Sequence, residues 1–195
     1  MLQESIHRVF TNCLDFCDTF GRVPHFYITG GDPILHPYFW ELLETFSSHD
    51  IGFSILGNPF HLDDEVCARL KALGCEKYQV SIDGLRKTHD YFRKPGSFDA
   101  TLRAVHTINK AGICSVVMST VSGTNIDEIP DVIDIAVEHE AEVFSCARYC
   151  PSDSGGNGIT PERYREFLAK CDEKFRRYES QGCKTYFDRS KERRV

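Results

Sequence analysis

Phe26-Tyr27-Ile28-Thr29-Gly30-Gly31-Asp32-Pro33, continued by Ile34-Leu35-His36-Pro37, reads as a strand that runs straight into a turn. Adjacent glycines at a strand's end remove two Cβ atoms, so the backbone can take positive φ and a ligand can approach the main chain closely. Pro33 fixes the exit direction. Asp32 then presents a carboxylate at the carboxyl end of a strand, which is where α/β sheets put their ligands. It is a candidate anchor for a cationic group. Gly, Asp and Pro also build ordinary surface turns, so the stretch is weighed with the rest of the chain.

Working outward, Ile6, Val9, Phe10, Cys13, Cys17 and Phe20 recur at the spacing of one apolar helix face, which ends near Gly21. Cys13 and Cys17 lie on that face and read as small hydrophobes. Past the turn, Phe39, Leu42, Leu43 and Phe46 mark a second helix behind Pro37, and His36 reads as a turn residue. Ile51-Gly52-Phe53-Ser54-Ile55-Leu56-Gly57-Asn58 is a strand ending in another glycine turn. Asp63 is placed to cap a helix carrying Val66, Leu70 and Leu73, with Gly74 at its end. Tyr78-Gln79-Val80-Ser81-Ile82-Asp83-Gly84 alternates, with Tyr78, Val80 and Ile82 on one face and Gln79, Ser81 and Asp83 on the other. In a parallel barrel covered by helices the apolar face points outward. The inward polar residues then need one another or a polar ligand, because an unpaired buried polar group costs about 1–3 kcal/mol.

Ser97 reads as the cap of a helix that buries Leu102, Val105 and Ile108. A strand over residues 113–121 follows, then a helix after Pro130, a strand over 143–151, and a last helix opened by Thr160-Pro161-Glu162. Strand and helix alternate five times after the opening helix. That pattern predicts parallel β/α units, an α/β fold forming part of a barrel over residues 1–182, with residues 183–195 a basic tail.

The 195 residues suffice for one domain and are few for a full α/β barrel. With 29 acidic against 23 basic residues the net charge is -6, so nucleic acid is not the expected partner. No apolar run reaches the ~20 residues that span a bilayer. Nine cysteines, an odd number, exclude a complete disulfide framework and point to a reducing compartment, the cytoplasm.

Gly30-Gly31-Asp32-Pro33 with His36-Pro37 resembles the turn after the second strand of the radical S-adenosylmethionine enzymes, Gly-Gly-(Glu/Asp)-Pro-Leu-x-His-Pro. There it binds the amino group of the cofactor's methionine. Asp32 is one methylene shorter than the family's usual glutamate. Val80-Ser81-Ile82-Asp83-Gly84, then Thr88-His89-Asp90-x-x-Arg93 and Pro95-Gly96-Ser97-Phe98, is similar to the run of the members that modify peptides and proteins. Leu56-Gly57-Asn58 resembles the family's Thr-Asn-Gly turn with Asn and Gly exchanged, and Met118 stands where the family often has Asn. Arg148-x-x-Pro151 resembles the end of its sixth strand.

The resemblance implies a TIM-barrel-like partial (β/α)6 barrel lacking its first strand, with S-adenosylmethionine inside it and a peptide or protein as substrate. It implies cofactor contacts from Gly30, Gly31, Asp32, Pro33, Asn58, Ser81, Asp83, Arg93, Thr120 and Arg148, with Arg93 matched to the cofactor carboxylate by its planar guanidinium. No catalytic residue is assigned. In complete members a [4Fe-4S] cluster on Cys-x3-Cys-x2-Cys cleaves the cofactor reductively to a 5′-deoxyadenosyl radical. Cys13-x3-Cys17 would need its third cysteine at position 20, which is Phe20. The cluster loop is expected upstream, so no metal ligand is assigned here. Three expectations follow. One is an inactive fragment or mis-started reading frame of a longer enzyme, its bare barrel edge met by a second copy. Another is a cluster-free scaffold for a small molecule or peptide. The third is an unrelated barrel enzyme using Asp32 and Asp83 as acid and base.

Overall fold

Tyr78, Val80 and Ile82 are fully buried, and Gln79 and Ser81 between them are half-buried, so the alternation in this strand does separate a helix-covered face from an inner one. The computed structural model describes residues 2–150 and 158–188. In chain order the elements are α1 (Leu2–Thr19), β1 (Phe26–Ile28), α2 (Phe39–Ser48), β2 (Phe53–Leu56), α3 (Asp64–Ala72), β3 (Cys75–Ser81), α4 (Arg86–Phe92), α5 (Ser97–Lys110), β4 (Cys114–Val121), α6 (Ile129–Glu138), β5 (Val143–Arg148), α7 (Pro161–Ser180) and β6 (Tyr186–Asp188). Short 3-10 turns at Pro33–Leu35 and Pro59–His61 follow β1 and β2.

The six strands form one sheet in the order β1-β2-β3-β4-β5-β6, every pair parallel. The sheet is an open arc, the partial barrel expected. Tyr78 lies beside Ser115 and Val80 beside Val117 in register, so the outer face continues across β3 and β4 into Phe144 and Cys146 of β5. Against it pack Leu43 and Phe46 of α2, Leu70 of α3, Val105 and Ile108 of α5, Val132 and Ile133 of α6, and Phe175 of α7. Phe26 stacks on Phe46 with ring centroids 4.5 Å apart, and Phe10 of α1 leans on both.

Local caps behave as read. Asp63 accepts from the Val66 amide at 2.8 Å, and Thr160 accepts from the Arg163 amide at 3.3 Å. Other expectations are corrected. Ser97 is not a cap: it is the first residue of α5, and the Asp90 carboxylate takes the Gly96 and Phe98 amides at 2.9 and 2.8 Å instead. The apolar face of α1 is narrower than its sequence stripe. Phe10 is buried and Leu14 half-buried, but Val9 and Phe20 are 59% and 62% exposed, with Cys13 and Cys17 half-buried between.

The chain beyond Gly182 is not simply a tail. Tyr186–Asp188 adds a sixth strand to β5, because Phe187 gains a fully apolar seat, stacked on Phe175 at 4.3 Å. Pro151 and residues 189–195, the basic end of the expected tail, lie outside the described residues. No helix among the described residues is long and apolar enough to cross a membrane. Phe187→Ala removes a buried ring and is expected to lower unfolding stability by about 3 kcal/mol in urea titration; a loss under about 1 kcal/mol would mean that β6 does not belong to the core.

Candidate functional site

The carboxyl ends of β1, β2 and β3 and the α4–α5 region enclose a cavity of about 380 Å³. Its floor is Thr29-Gly30-Gly31 after β1 and Leu56-Gly57-Asn58-Pro59-Phe60 after β2, with Gln79 and Ser81 of β3. Its far wall is His89, Arg93, Lys94, Ser97 and Thr101. Gly30 has φ 149, a conformation that a side chain would strain, and a Cβ on either Gly30 or Gly31 would meet open space. Gly57 is required for a different reason: a Cβ there would strike the Tyr78 hydroxyl. That hydroxyl donates to the Asn58 carbonyl at 3.2 Å, and burial pushes its pKa up, so it stays a donor and pins the second turn.

Asp32 closes the first turn, directly before the 3-10 turn Pro33–Leu35. Its side chain is 8% exposed, Oδ2 lies 3.5 Å from His61 Nε2, and Oδ1 is buried with no hydrogen-bond partner. An aspartate serving a tight turn would accept a nearby amide, and Asp32 caps nothing. A buried carboxylate oxygen left bare costs about 1–3 kcal/mol unless something arrives to meet it. The chemistry of that group calls for a cationic N–H donor.

Asp83 has the opposite character. Oδ2 accepts from Arg93 Nε at 3.0 Å and Nη2 at 2.7 Å, and Oδ1 from the Thr120 amide at 2.8 Å. Its amide donates to His89 Nδ1 at 3.1 Å, and its carbonyl accepts from Asn125 Nδ2 at 2.8 Å. Asn125 also donates to the Thr120 carbonyl at 2.9 Å and accepts from Ser122. Glu128 closes the next turn, taking the Leu85 amide and the Thr88 hydroxyl, both at 2.7 Å.

A backbone amide can only donate, so His89 Nδ1 is bare and Nε2 carries the proton, which goes to Ser97 Oγ at 3.1 Å. Burial lowers the His89 pKa and keeps the ring neutral, the nearby Asp83 charge opposing and Arg93 assisting.

Of the residues expected from the sequence, Gly30, Gly31, Asn58, Ser81 and Arg93 line this cavity together. Asp32 and Pro33 follow Gly31 where the first turn passes into the 3-10 turn and are not among the lining residues. Asp83, Arg93 and Thr120 line a second cavity of about 370 Å³ with Phe92, Ser122 and Tyr149, so Arg93 is the wall between the two. Arg148 lies in neither: its guanidinium donates to the Ile159 carbonyl and covers the Tyr164 ring at 5.3 Å. His89, Asn125, His61 and Lys94 had no assigned role, and Ser97 only that of a helix cap; His89 and Ser97 stood inside the matched run, whereas Asn125 gave no local signal. None of the nine cysteines is joined in a disulfide among the described residues, and among those residues no three Cys, His, Asp or Glu side chains gather as metal ligands.

A family model described as the radical SAM superfamily matches residues 9–136. Mycofactocin maturase MftC of Mycobacterium ulcerans is 32% identical over 149 residues, which are 74% of this chain and 40% of that protein. AdoMet-dependent heme synthase of Methanosarcina barkeri is 29% identical over 149 residues, 74% of this chain and 43% of that one. Streptococcus suis SuiB bound to S-adenosylmethionine shares the fold, with a TM-score of 0.67 at 15% identity over 84% of this chain and 39% of that one. The chain thus spans about two fifths of these proteins' lengths.

Because His89 is neutral when folded and titrates near 6.5 when unfolded, the unfolded chain takes up the proton first as the pH drops. Stability is therefore full above about pH 6.5 and falls as the pH drops from there toward the lowered folded value. Urea midpoints at pH 7.5 and 5.5 should show this, and His89→Gln should flatten that part of the slope; an unchanged slope in the variant would contradict the assignment.

Proposed function

The chain belongs to the radical SAM superfamily, and we propose that these residues hold S-adenosylmethionine at the carboxyl ends of β1 to β3 for modification of a peptide or protein. The observation that carries this reading is Asp32 Oδ1, buried and unpartnered at the end of an open glycine turn. The methionyl ammonium supplies the donors it lacks. Gly30 and Gly31 let the ligand approach the main chain, and Asn58, Ser81 and Gln79 offer polar atoms along the same cavity. Asp83 and Thr120 act through Arg93, holding the partition between the two cavities rather than meeting the methionyl end themselves. Arg148 drops out as a contact to either cavity.

When bound at a [4Fe-4S] cluster and reduced, S-adenosylmethionine supplies a 5′-deoxyadenosyl radical. The described residues do not fit that cluster, since no three ligating side chains gather among them, and no step is assigned through it. The chain's own share is binding, orientation and exclusion of water. The same observation favours a second reading, a barrel that binds without cleaving. The peptide class rests on the matched run from Val80 to Phe98; the heme synthase names the competing class, a porphyrin. Nine cysteines with no disulfide among the described residues support a cytoplasmic setting.

Calorimetric titration of the purified chain with S-adenosylmethionine should give saturable binding that Asp32→Asn, of equal size and no charge, weakens at least about tenfold. Equal affinity in the variant would contradict the anchor. Formation of 5′-deoxyadenosine after iron, sulfide and dithionite are added would overturn the reading that these residues do not hold the cluster.

A further inference from the structure

The ligand proposed above is a zwitterion at its methionyl end, and Asp32 answers only its ammonium. Arg93 is the obvious cation for the carboxylate, but two of its three guanidinium nitrogens already converge on one oxygen of Asp83. Turning it toward the cavity would strip a 7%-exposed carboxylate of its counter-charge. Lys94 is in a different position. It lines the same cavity, forms no ion pair among the described residues, and parks its ammonium on the Phe60 ring, 3.4 Å from the centroid. A cation–π contact at an exposed site is weak and is readily exchanged for a carboxylate.

Ser97 supplies a second donor. Its oxygen is occupied by the proton of His89 Nε2, and its own hydroxyl proton has no acceptor among the described residues. Ser97 is buried and lines the cavity beside Lys94, and its amide donates to the Lys94 carbonyl at 3.1 Å, so the two residues form one turn. The end of α5 itself is not the site, because Asp90 already takes the Gly96 and Phe98 amides.

We infer that Lys94 and Ser97 form the carboxylate subsite of this cavity, with Lys94 leaving Phe60 when an α-amino-acid end enters. The site then selects ligands that carry both charges. Lys94 is the specificity-determining residue, and His89 positions the Ser97 hydroxyl. This rests on the S-adenosylmethionine reading of the cavity.

The test is titration of the full chain with S-adenosylmethionine and with its decarboxylated analogue, in wild type, Lys94→Met and Lys94→Arg. Wild type should prefer the carboxylated ligand by at least about tenfold. Lys94→Met should bring the two within about threefold, Lys94→Arg should restore most of the preference, and thermal midpoints should not move. A preference that survives Lys94→Met overturns the subsite, as does wild type binding both ligands equally while the cavity reading stands. Wild type binding neither ligand overturns the cavity reading and this inference together.

Discussion

Asp83 holds a partner on its amide, its carbonyl and both carboxylate oxygens. Through these bonds the carboxyl ends of β3 and β4, the buried His89 of α4, Arg93 behind it and the Asn125 turn become one rigid corner. Parallel strands need this, because their ladders stop where the ligand must sit and the last residues of each strand have no sheet neighbour to satisfy them. Within the corner the low dielectric strengthens each bond and raises the cost of leaving any one unmade. Asn125 shows how complete the arrangement is: its two donor bonds go to the carbonyls of Asp83 and Thr120, and its oxygen takes both the amide and the hydroxyl of Ser122.

Set against that corner, Asp32 is informative. Both aspartates follow strands and both are nearly buried, yet one is saturated and the other keeps a bare oxygen. A fold that satisfies Asp83 so thoroughly can satisfy polar groups at its strand ends. The gap at Asp32 is therefore a property of the site. The glycines over it keep the cavity open, and Tyr78 holds the neighbouring turn in place from below. The bonds of Asp83 to Arg93 and the Thr120 amide speak against its pairing with Asp32 as acid and base.

What could be read from the sequence followed the range of the forces involved. Asp63, Thr160 and the Tyr78, Val80 and Ile82 alternation depend on neighbours a few residues away, and each was legible. Ser97 carried the chemistry of a cap but lost the position to Asp90, six and eight residues from the amides it takes. β6 escaped because it is three residues long and buries one ring, Phe187, which stacks on Phe175 of the preceding helix. The cavity residues were legible as a set only through the resemblance. Their division into a ligand anchor, Asp32, and a structural keystone, Asp83, depends on contacts with Arg93, Thr120 and Asn125 that span up to 42 positions. Arg148 looked equivalent to Arg93 and is turned to Ile159 and Tyr164 by the packing of α7.

The central claim is that Asp32 Oδ1 is kept bare for the ammonium of S-adenosylmethionine while Asp83 stays bound to the protein. A crystal structure of this chain grown with S-adenosylmethionine tests it most directly. The account predicts the ligand nitrogen within hydrogen-bond distance of Asp32 Oδ1, with the bonds from Asp83 to Arg93, Thr120, His89 and Asn125 unchanged. A ligand seated elsewhere, or one held by Asp83 with Arg93 released, would contradict it.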